Sequence, residues 1–178
     1  MGSDCNQDLF VINKLNKLRN GTWVELGCSL PIKGSNTYVL EKEYDWSGIS
    51  IDIDSAAINQ WKGVRDTNTL ILADARSLNY EELFIKYNLP ESIDYLSIDL
   101  EPPPITFHVL QMLPFHKYKF KIITFEHDDY REQSKNLNIK LKSREFFKIN
   151  GYVRIPENIV ESYFNKLSLS EDWYIKND

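Results

Sequence analysis

The chain predicts an α/β fold, a mainly parallel sheet with helices on both faces. Two observations carry that expectation. Short runs rich in β-branched and aromatic residues alternate with amphipathic stretches along almost the whole sequence, the order that βαβ units require. Several of those runs also end alike, on a carboxylate or a glycine: Glu25-Leu-Gly27, Asp52-Ile-Asp54, Ala73-Asp74-Ala75, Asp99-Leu-Glu101 and Glu126-His127-Asp128. Ligands of open α/β sheets bind outside the carboxyl ends of the strands, where strand order reverses. Acids recurring at successive strand ends therefore predict a site along one rim of the sheet.

From Asp8 to Arg19 the apolar positions Leu9, Phe10, Ile12, Leu15 and Leu18 occupy roughly one helical face, and Asn20-Gly21 ends that helix. Thr22 to Gly27 is the first strand. A loop through Leu30-Pro31 leads to a helix opened by Ser35 or Asn36 and running to Tyr44, then to strand Gly48 to Ile53 and a helix from Ser55 to Lys62. Strand Thr69 to Leu72, a short helix from Tyr80 to Tyr87 and strand Ile93 to Ile98 come next. The run Pro102-Pro103-Pro104 can start a helix but not continue one, which places a helix at Ile105 to Met112. Phe120 to Phe125 is a fifth strand and Asp129 to Phe147 a helix closed before Gly151. Tyr152 to Ile155 and Trp173 to Ile175 are two last strands, and between them Ile159 to Leu167 fits helix and strand equally.

At 178 residues, 42% hydrophobic and 26% charged, the chain suits a single domain over residues 1–178 with one core. Met1-Gly2-Ser3 reads as an appended stub ahead of a domain cut from a longer protein. No run approaches the ~20 apolar residues of a membrane span, and the N-terminus lacks the basic-then-apolar layout of a signal peptide. The expected location is the cytoplasm. Cys5 and Cys28 lie far apart and show no C-x-x-C spacing, so neither a disulfide framework nor a zinc site is expected. A net charge of −5 leaves no electrostatic footprint for a phosphate backbone, which argues against a nucleic-acid partner and for a neutral or small polar one.

The first loop argues against a dinucleotide. A pyrophosphate needs G-x-G-x-x-G with bare amides at a helix N-terminus, whereas here one glycine and one acid are followed by Leu30-Pro31. Carboxylates at consecutive strand ends suit a cofactor with an amino group and ribose hydroxyls but no phosphate. S-adenosylmethionine (SAM) has that inventory. Glu25 can accept from its α-amino group, while Gly27, with Cys28 beside it, lets the chain pass close. Asp52 and Asp54 flank Ile53, and only one of the two is expected to face the ligand. One of them faces the vicinal ribose hydroxyls, and Asp54 or Ser55 caps the next helix. Asp74, next to Ala75, suits the adenine amino group.

Asp99 and Glu101 follow the central fourth strand, where a rim site would be built. His127, beside Glu126, Asp128 and Asp129, is the sequence's best candidate for a general base. His108 and His116 have no partner pattern and read as structural or surface residues. Asp99, Glu101 and Asp128, or Glu126 among them, also compose an oxygen-rich set suited to magnesium or manganese.

On these stretches the sequence resembles the FkbM-like branch of class I SAM-dependent methyltransferases. The match runs through Trp23-Val-Glu25-Leu-Gly27, Ser35-Asn36-Thr37, Asp45-Trp-Ser-Gly48-Ile-x-Ile-Asp52, Ala73-Asp74-Ala75, Asp94-Tyr-Leu-Ser-Ile-Asp99-Leu-Glu101, Ile123-Thr-Phe-Glu126-His127-Asp128, Ser143-Arg144, Gly151-Tyr152 and Glu171-Asp-Trp173-Tyr. The resemblance implies a Rossmann-like sheet of seven strands with an antiparallel final strand. It also implies SAM as methyl donor and a sugar or other small hydroxylated acceptor, a glycan or deoxyhexose among them. It is strongest with versions found in large viruses and bacteria beside glycan-assembly enzymes, which implies association or fusion with glycosyltransferase domains and, for a viral chain, the host cytoplasm. Position by position, it places Glu25, Gly27 and Asn36 near the methionine part, Asp52 at the ribose, Asp74 near the adenine and Asp99 between cofactor and acceptor. Leu30-Pro31 departs from the Asp-Gly pair usual in that branch, and Asp52 stands where Glu is common.

The chemistry this implies is in-line transfer of a sulfonium methyl to a hydroxyl. His127 would be the base, with Asp99 or Asp128 orienting it; a divalent ion on Asp99, Glu101 and Asp128 would acidify the hydroxyl instead. Trp173 or Tyr174 could stack on a sugar ring or pack in the core. Methylation of an amine or carboxylate, and a module that binds SAM or a glycan without turnover, are the competing expectations.

Overall fold

The computed structural model describes residues 2–65, 69–128, 137–163 and 170–177. The chain opens with β1 (Gly2–Ser3) and α1 (Gln7–Lys14), followed by β2 (Thr22–Leu26), β3 (Lys33–Gly34), α2 (Tyr38–Tyr44), β4 (Ser47–Asp52), α3 (Ser55–Asn59) and β5 (Thr69–Leu72). A 3₁₀ turn at Ala75–Ser77 precedes α4 (Tyr80–Lys86), β6 (Ser92–Ile98), α5 (Pro103–Met112), β7 (Lys119–Glu126), α6 (Leu137–Ile149), β8 (Tyr152–Arg154), α7 (Glu157–Glu161) and β9 (Glu171–Lys176).

Seven strands form one sheet in the order β5-β4-β2-β6-β7-β9-β8. The pairs from β5 to β7 are parallel, and β9, the last strand, inserts antiparallel between β7 and β8. Strand order reverses between β2 and β6, so the crevice between their carboxyl ends is the switch point at which such sheets bind ligands. A separate parallel pair joins β1 to β3, Gly2 opposite Lys33. That pairing gives the Gly2-Ser3 backbone a place in the fold, and the Ser3 hydroxyl donates to Asp8 at 2.6 Å.

The two faces of the sheet differ. Val24 and Leu26 on β2, Ile49 and Ile51 on β4, and Leu96 and Ile98 on β6 turn to one side and build an apolar layer with Phe84, Leu110 and Phe147. Each such side chain contributes roughly 1.5–3 kcal/mol by leaving water. The alternate residues, Trp23 and Glu25, Ser50, and Tyr95 and Ser97, turn to the side of α1 and α2 and mix large aromatics with buried polar groups. Those polar groups satisfy one another: Trp23 Nε1 donates to Ser50 Oγ (3.1 Å), Asn36 Nδ2 to Ser97 Oγ (2.9 Å), and the hydroxyls of Tyr95 and Thr124 lie 2.8 Å apart.

The expected first helix, Asp8 to Arg19, stops at Lys14 because Asn16 and Lys17 take positive φ (51° and 57°) and the Lys17 amide closes on the Ile12 carbonyl at 2.8 Å. Leu15 and Leu18 still pack against the aromatic cluster of that face. The helix after β6 begins two residues earlier than expected, at Pro103, where a missing amide costs nothing. Residues 129–136 of the helix expected from Asp129, and 164–167 of the undecided segment, lie outside the described residues; the described part of the latter includes α7.

Trp173 and Tyr174 are core residues, not a sugar platform. Trp173 packs on Phe10 (4.5 Å between ring centroids) and Tyr174 on Phe147 (4.1 Å), and both are within 1% of complete burial.

Candidate functional site

Two joined clefts open at the switch point. The larger, about 640 Å³, lies between the carboxyl ends of β4, β5 and β6 and is lined by Gly27, Asp52, Asp54, Asp74, Ala75 and Asp99 among others. The smaller, about 300 Å³, lies over β2 and is lined by Asp4, Glu25, Cys28, Lys33, Gly34 and Asn36. Gly27, Ser29 and Asp99 belong to both walls.

Gly27 is the pivot between them. Its φ of 84° is in the left-handed region, and a Cβ built on it would fall on the carbonyl oxygen of Asp99. The two backbones are drawn together because Asp99 N donates to Leu26 O (2.9 Å) while Gly27 N donates to Ile51 O (2.9 Å). Only glycine supplies both the backbone angle and the close approach.

In the larger cleft, Asp52 Oδ2 accepts from Ser29 N (2.7 Å) and Oδ1 from Asp54 N (2.8 Å), so this carboxylate shapes the first loop as well as facing the cavity. Asp54 caps α3 by accepting from Ala56 N at 2.8 Å. It also lines the cleft beside Asp52, so both acids face it and not one alone: residues two apart on extended backbone share a face. Asp74 caps the 3₁₀ turn and is gripped by Arg76, with Nη2 at 2.6 Å and Nε at 3.0 Å. That grip, with the Arg76 amide, holds its carboxyl down at about 2. Ala75 is buried in the wall and accepts from the Tyr80 hydroxyl through its carbonyl, at 2.7 Å.

In the smaller cleft, Glu25 is 1% exposed and Oε2 accepts from Thr37 Oγ1 (2.8 Å) and Ser50 Oγ (2.7 Å). Burial pushes its carboxyl up; the charge of Arg65 and the two hydroxyls pull the other way. Asn36 is held by Ser97. Burial also pushes the Cys28 thiol up, which leaves it a protonated wall residue. The sequence reading missed Arg65 altogether. Its side chain is fully enclosed against Trp61 and reaches Glu41, Ser35 and Thr37. An aromatic four residues before an arginine was the available signal, and it is a weak one.

At the far side of Asp99 the acids do not arrange as expected. Asp99 and Glu126 follow Ile98 and Phe125, which are register partners on β6 and β7, and their carboxyls are hydrogen-bonded. Burial, that bond and the charges of Asp99, Asp128 and Glu171 push Glu126 far above the ordinary carboxyl range, so it keeps its proton. Glu171 on β9, tied to Gln7 Nε2 at 2.8 Å, is pushed up to about 8 by burial and by Asp99. Cys5, in the same neighbourhood, is pushed up to about 12 by burial, Glu171 and Asp4.

His127 is 0% exposed and is not among the residues lining either cleft; its Nε2 lies 3.9 Å from Asp172 Oδ2. Asp172 is in turn held by Arg144 at 2.6 Å and Arg154 at 3.3 Å. Asp128 takes a φ of 47° and is 2% exposed, with its amide donating to Ser170 O (2.9 Å). Glu101 is exposed at the lip of the larger cleft. Among the described residues no three of His, Cys, Asp and Glu are gathered to hold a metal ion, so the expected set of Asp99, Glu101 and Asp128 is not assembled. His108 and His116 are exposed, the latter 3.5 Å from Glu81.

No family model matches this chain, and no curated protein does. Solved structures do match its fold. A protein assigned as an rRNA methylase from Clostridium thermocellum superposes with a TM-score of 0.60 at 16% identity, over 98% of this chain and 96% of the other. A TehB-like SAM-dependent methyltransferase from Corynebacterium glutamicum gives 0.52 at 10% identity, over 96% and 88%. The plantazolicin methyltransferase BamL, solved with a desmethyl-plantazolicin analogue and S-adenosylhomocysteine (SAH), gives 0.50 at 15% identity, over 98% and 86%. The fold is that of the class I SAM-dependent methyltransferases: a Rossmann-like, mostly parallel seven-stranded sheet with the final strand reversed. The narrower FkbM-like resemblance is not carried by these structures. Among the described residues no helix is long and apolar enough to cross a membrane.

Proposed function

We propose that this protein is a SAM-dependent methyltransferase acting on a hydroxyl of a sugar or similarly small polar acceptor. The observation that carries the cofactor is the pair of clefts joined at Gly27, Ser29 and Asp99, one wide enough for an adenosine and edged by Asp52 and Asp74, the other edged by Glu25 and Asn36. The chemistry of that donor set fits SAM: acceptors for ribose and adenine on one side of the pivot, a buried carboxylate for an ammonium on the other. SAH in the BamL complex, on a shared fold, supports the same reading. The acceptor class rests on the FkbM-like resemblance and on the acidic rim, which repels a phosphate backbone. Glycosyltransferase domains are the partners that resemblance suggests.

When bound, SAM supplies a methyl group on an already activated sulfonium. The chain's part is alignment and removal of one proton. Gly27 and Asp52 fix the first loop at the rim of the two clefts, and Asp99, present in both walls, would take the O–H proton of the acceptor. Glu126 stays protonated and orients Asp99 through their shared hydrogen bond. The enclosed position of His127 beside Asp172 supports a structural role, and the base role passes to Asp99. No step is assigned to a metal ion, since among the described residues Asp99, Glu101 and Asp128 are not gathered as one ligand set.

Titration calorimetry with SAH, followed by transfer of a labelled methyl group from SAM to a panel of sugars, RNA and peptides, tests this. Saturable SAH binding with label on sugars is expected. Absence of SAH binding would overturn the cofactor, and label confined to RNA or peptide would overturn the acceptor.

A further inference from the structure

Arg65 lies just beyond α3, and its side chain is 0% exposed. The guanidinium sits 4.2 Å from the Trp61 ring centroid and 5.6 Å from that of Trp23. Nε donates to Glu41 Oε2 (2.6 Å), Nη1 to Ser35 Oγ (2.9 Å) and Pro31 O (3.4 Å), and Nη2 to Thr37 Oγ1 (2.8 Å). All of these partners lie between residues 31 and 41, the stretch that carries Lys33, Gly34 and Asn36 into the smaller cleft, and none of them lines the larger one. Burying this cation is costly unless its donors are matched. Here they are matched by the loop that would enclose the amino-acid end of the cofactor.

The contact with Thr37 also has a direction. Arginine only donates, so the Thr37 oxygen accepts from Nη2 and its single proton goes to Glu25 Oε2, 2.8 Å away. Ser35, held by the same guanidinium, accepts from the amides of Thr37 (3.3 Å) and Tyr38 (3.2 Å) at the start of α2. The loop sequence Leu30-Pro31, which departs from the Asp-Gly of the resembled branch, is anchored through the Pro31 carbonyl rather than through an acidic side chain.

We propose that Arg65 is a positioning residue for the amino-acid portion of the cofactor: through Ser35, Pro31 and Thr37 it fixes loop 31–37 and orients Glu25 toward the ligand, without touching the ligand itself. The inference rests on the cofactor reading above. It separates the two clefts energetically, since a ligand that fills only the larger one does not use the loop Arg65 holds.

The test compares SAH with 5′-methylthioadenosine, which keeps the adenosine and sulfur but lacks the amino-acid portion, by calorimetry on wild type, Arg65→Lys, Thr37→Val and Thr37→Ser. Lysine keeps the charge but cannot reach three sites at once. Arg65→Lys and Thr37→Val are expected to weaken SAH about tenfold or more while shifting 5′-methylthioadenosine less than about twofold, and Thr37→Ser to bind both like wild type. Should Arg65→Lys fail to fold, the Thr37 pair carries the test, because it leaves the buried cation in place. Equal weakening of both ligands, or unchanged SAH affinity in Thr37→Val, overturns the inference while the cofactor reading stands. Wild type binding neither ligand overturns both.

Discussion

The protonated carboxyl of Glu126 donates a hydrogen bond to the carboxylate of Asp99 across the adjoining ends of β7 and β6. The pair behaves as one unit holding a single proton over a wide pH range, because burial and the negative charge of Asp99 keep Glu126 from ionising. Asp99→Asn is expected to lower methyl transfer by roughly 10²–10⁴-fold with SAH affinity little changed. Glu126→Gln keeps a donor in place and should retain most activity near neutral pH. In wild type, activity should fall at alkaline pH as Glu126 loses its proton beside Asp99, and the glutamine variant should lack that decline. A neutral-pH loss in Glu126→Gln as large as in Asp99→Asn would refute the division of roles.

Gly27 offers a direct check on the pivot. Gly27→Ala places a methyl group on the Asp99 carbonyl oxygen and a Cβ on left-handed backbone, which costs about 1–2 kcal/mol for the backbone angle alone. The expected outcome is a lower thermal midpoint together with loss of SAH binding, measured by scanning calorimetry and titration. A variant that melts and binds like wild type would remove Gly27 from the cofactor site.

Glu171 sets a pH dependence of stability. Its carboxyl moves from an ordinary value of 4.5 to about 8 in the fold through burial and the facing charges of Asp99 and Asp172, with Gln7 and Trp173 as hydrogen-bond partners. Between those values the folded state holds a proton that the unfolded chain has released, so its contribution is fully present below about pH 4.5 and is lost as pH rises through 8. Urea midpoints should therefore decline from pH 5 to pH 8 in wild type, by amounts that Glu171→Gln reduces. Parallel curves for the two proteins would contradict the burial of this acid.

Asp172 has the opposite sign. Burial opposes its ionisation, yet hydrogen bonds from Arg144 and the charges of His127, Arg144 and Arg154 outweigh it and lower its carboxyl below the ordinary 3.8. Its contribution is present above that value and disappears as pH falls through the lowered one. Asp172→Asn at neutral pH is expected to cost roughly 1–3 kcal/mol, because Arg144 and Arg154, both partly exposed, are left with Glu157 as their shared anion. His127→Ala should likewise lower the melting temperature and leave kcat within about tenfold. A kcat loss beyond 10²-fold at unchanged melting temperature would return His127 to the chemistry.

Asp52 holds the first loop by accepting from Ser29 N. Asp52→Asn is expected to weaken SAH by about tenfold, one strong hydrogen bond's worth, and 5′-methylthioadenosine equally, since both carry the ribose. An effect on SAH alone would move Asp52 away from the ribose.

Much of this molecule was legible along the chain because its signals are local. Alternation of apolar runs and amphipathic stretches sets strand and helix, a short side chain before a helix sets its cap, as Asp54 does on α3, and chain direction through crossover helices places Asp52, Asp74 and Asp99 at one rim of a parallel sheet. What the sequence alone could not decide depends on contacts between distant segments. His127 and Glu126 are neighbours in sequence, yet the reversal of β9 puts Asp172 beside the first, while strand register puts Asp99 beside the second. Adjacent side chains on extended backbone point to opposite faces, so which of the two reaches Asp99 is settled by packing on each side. Arg65 shows the same limit, with only Trp61 four residues before it as a weak local mark and with hydrogen-bond partners 24 to 34 residues away that only the folded chain brings around one guanidinium.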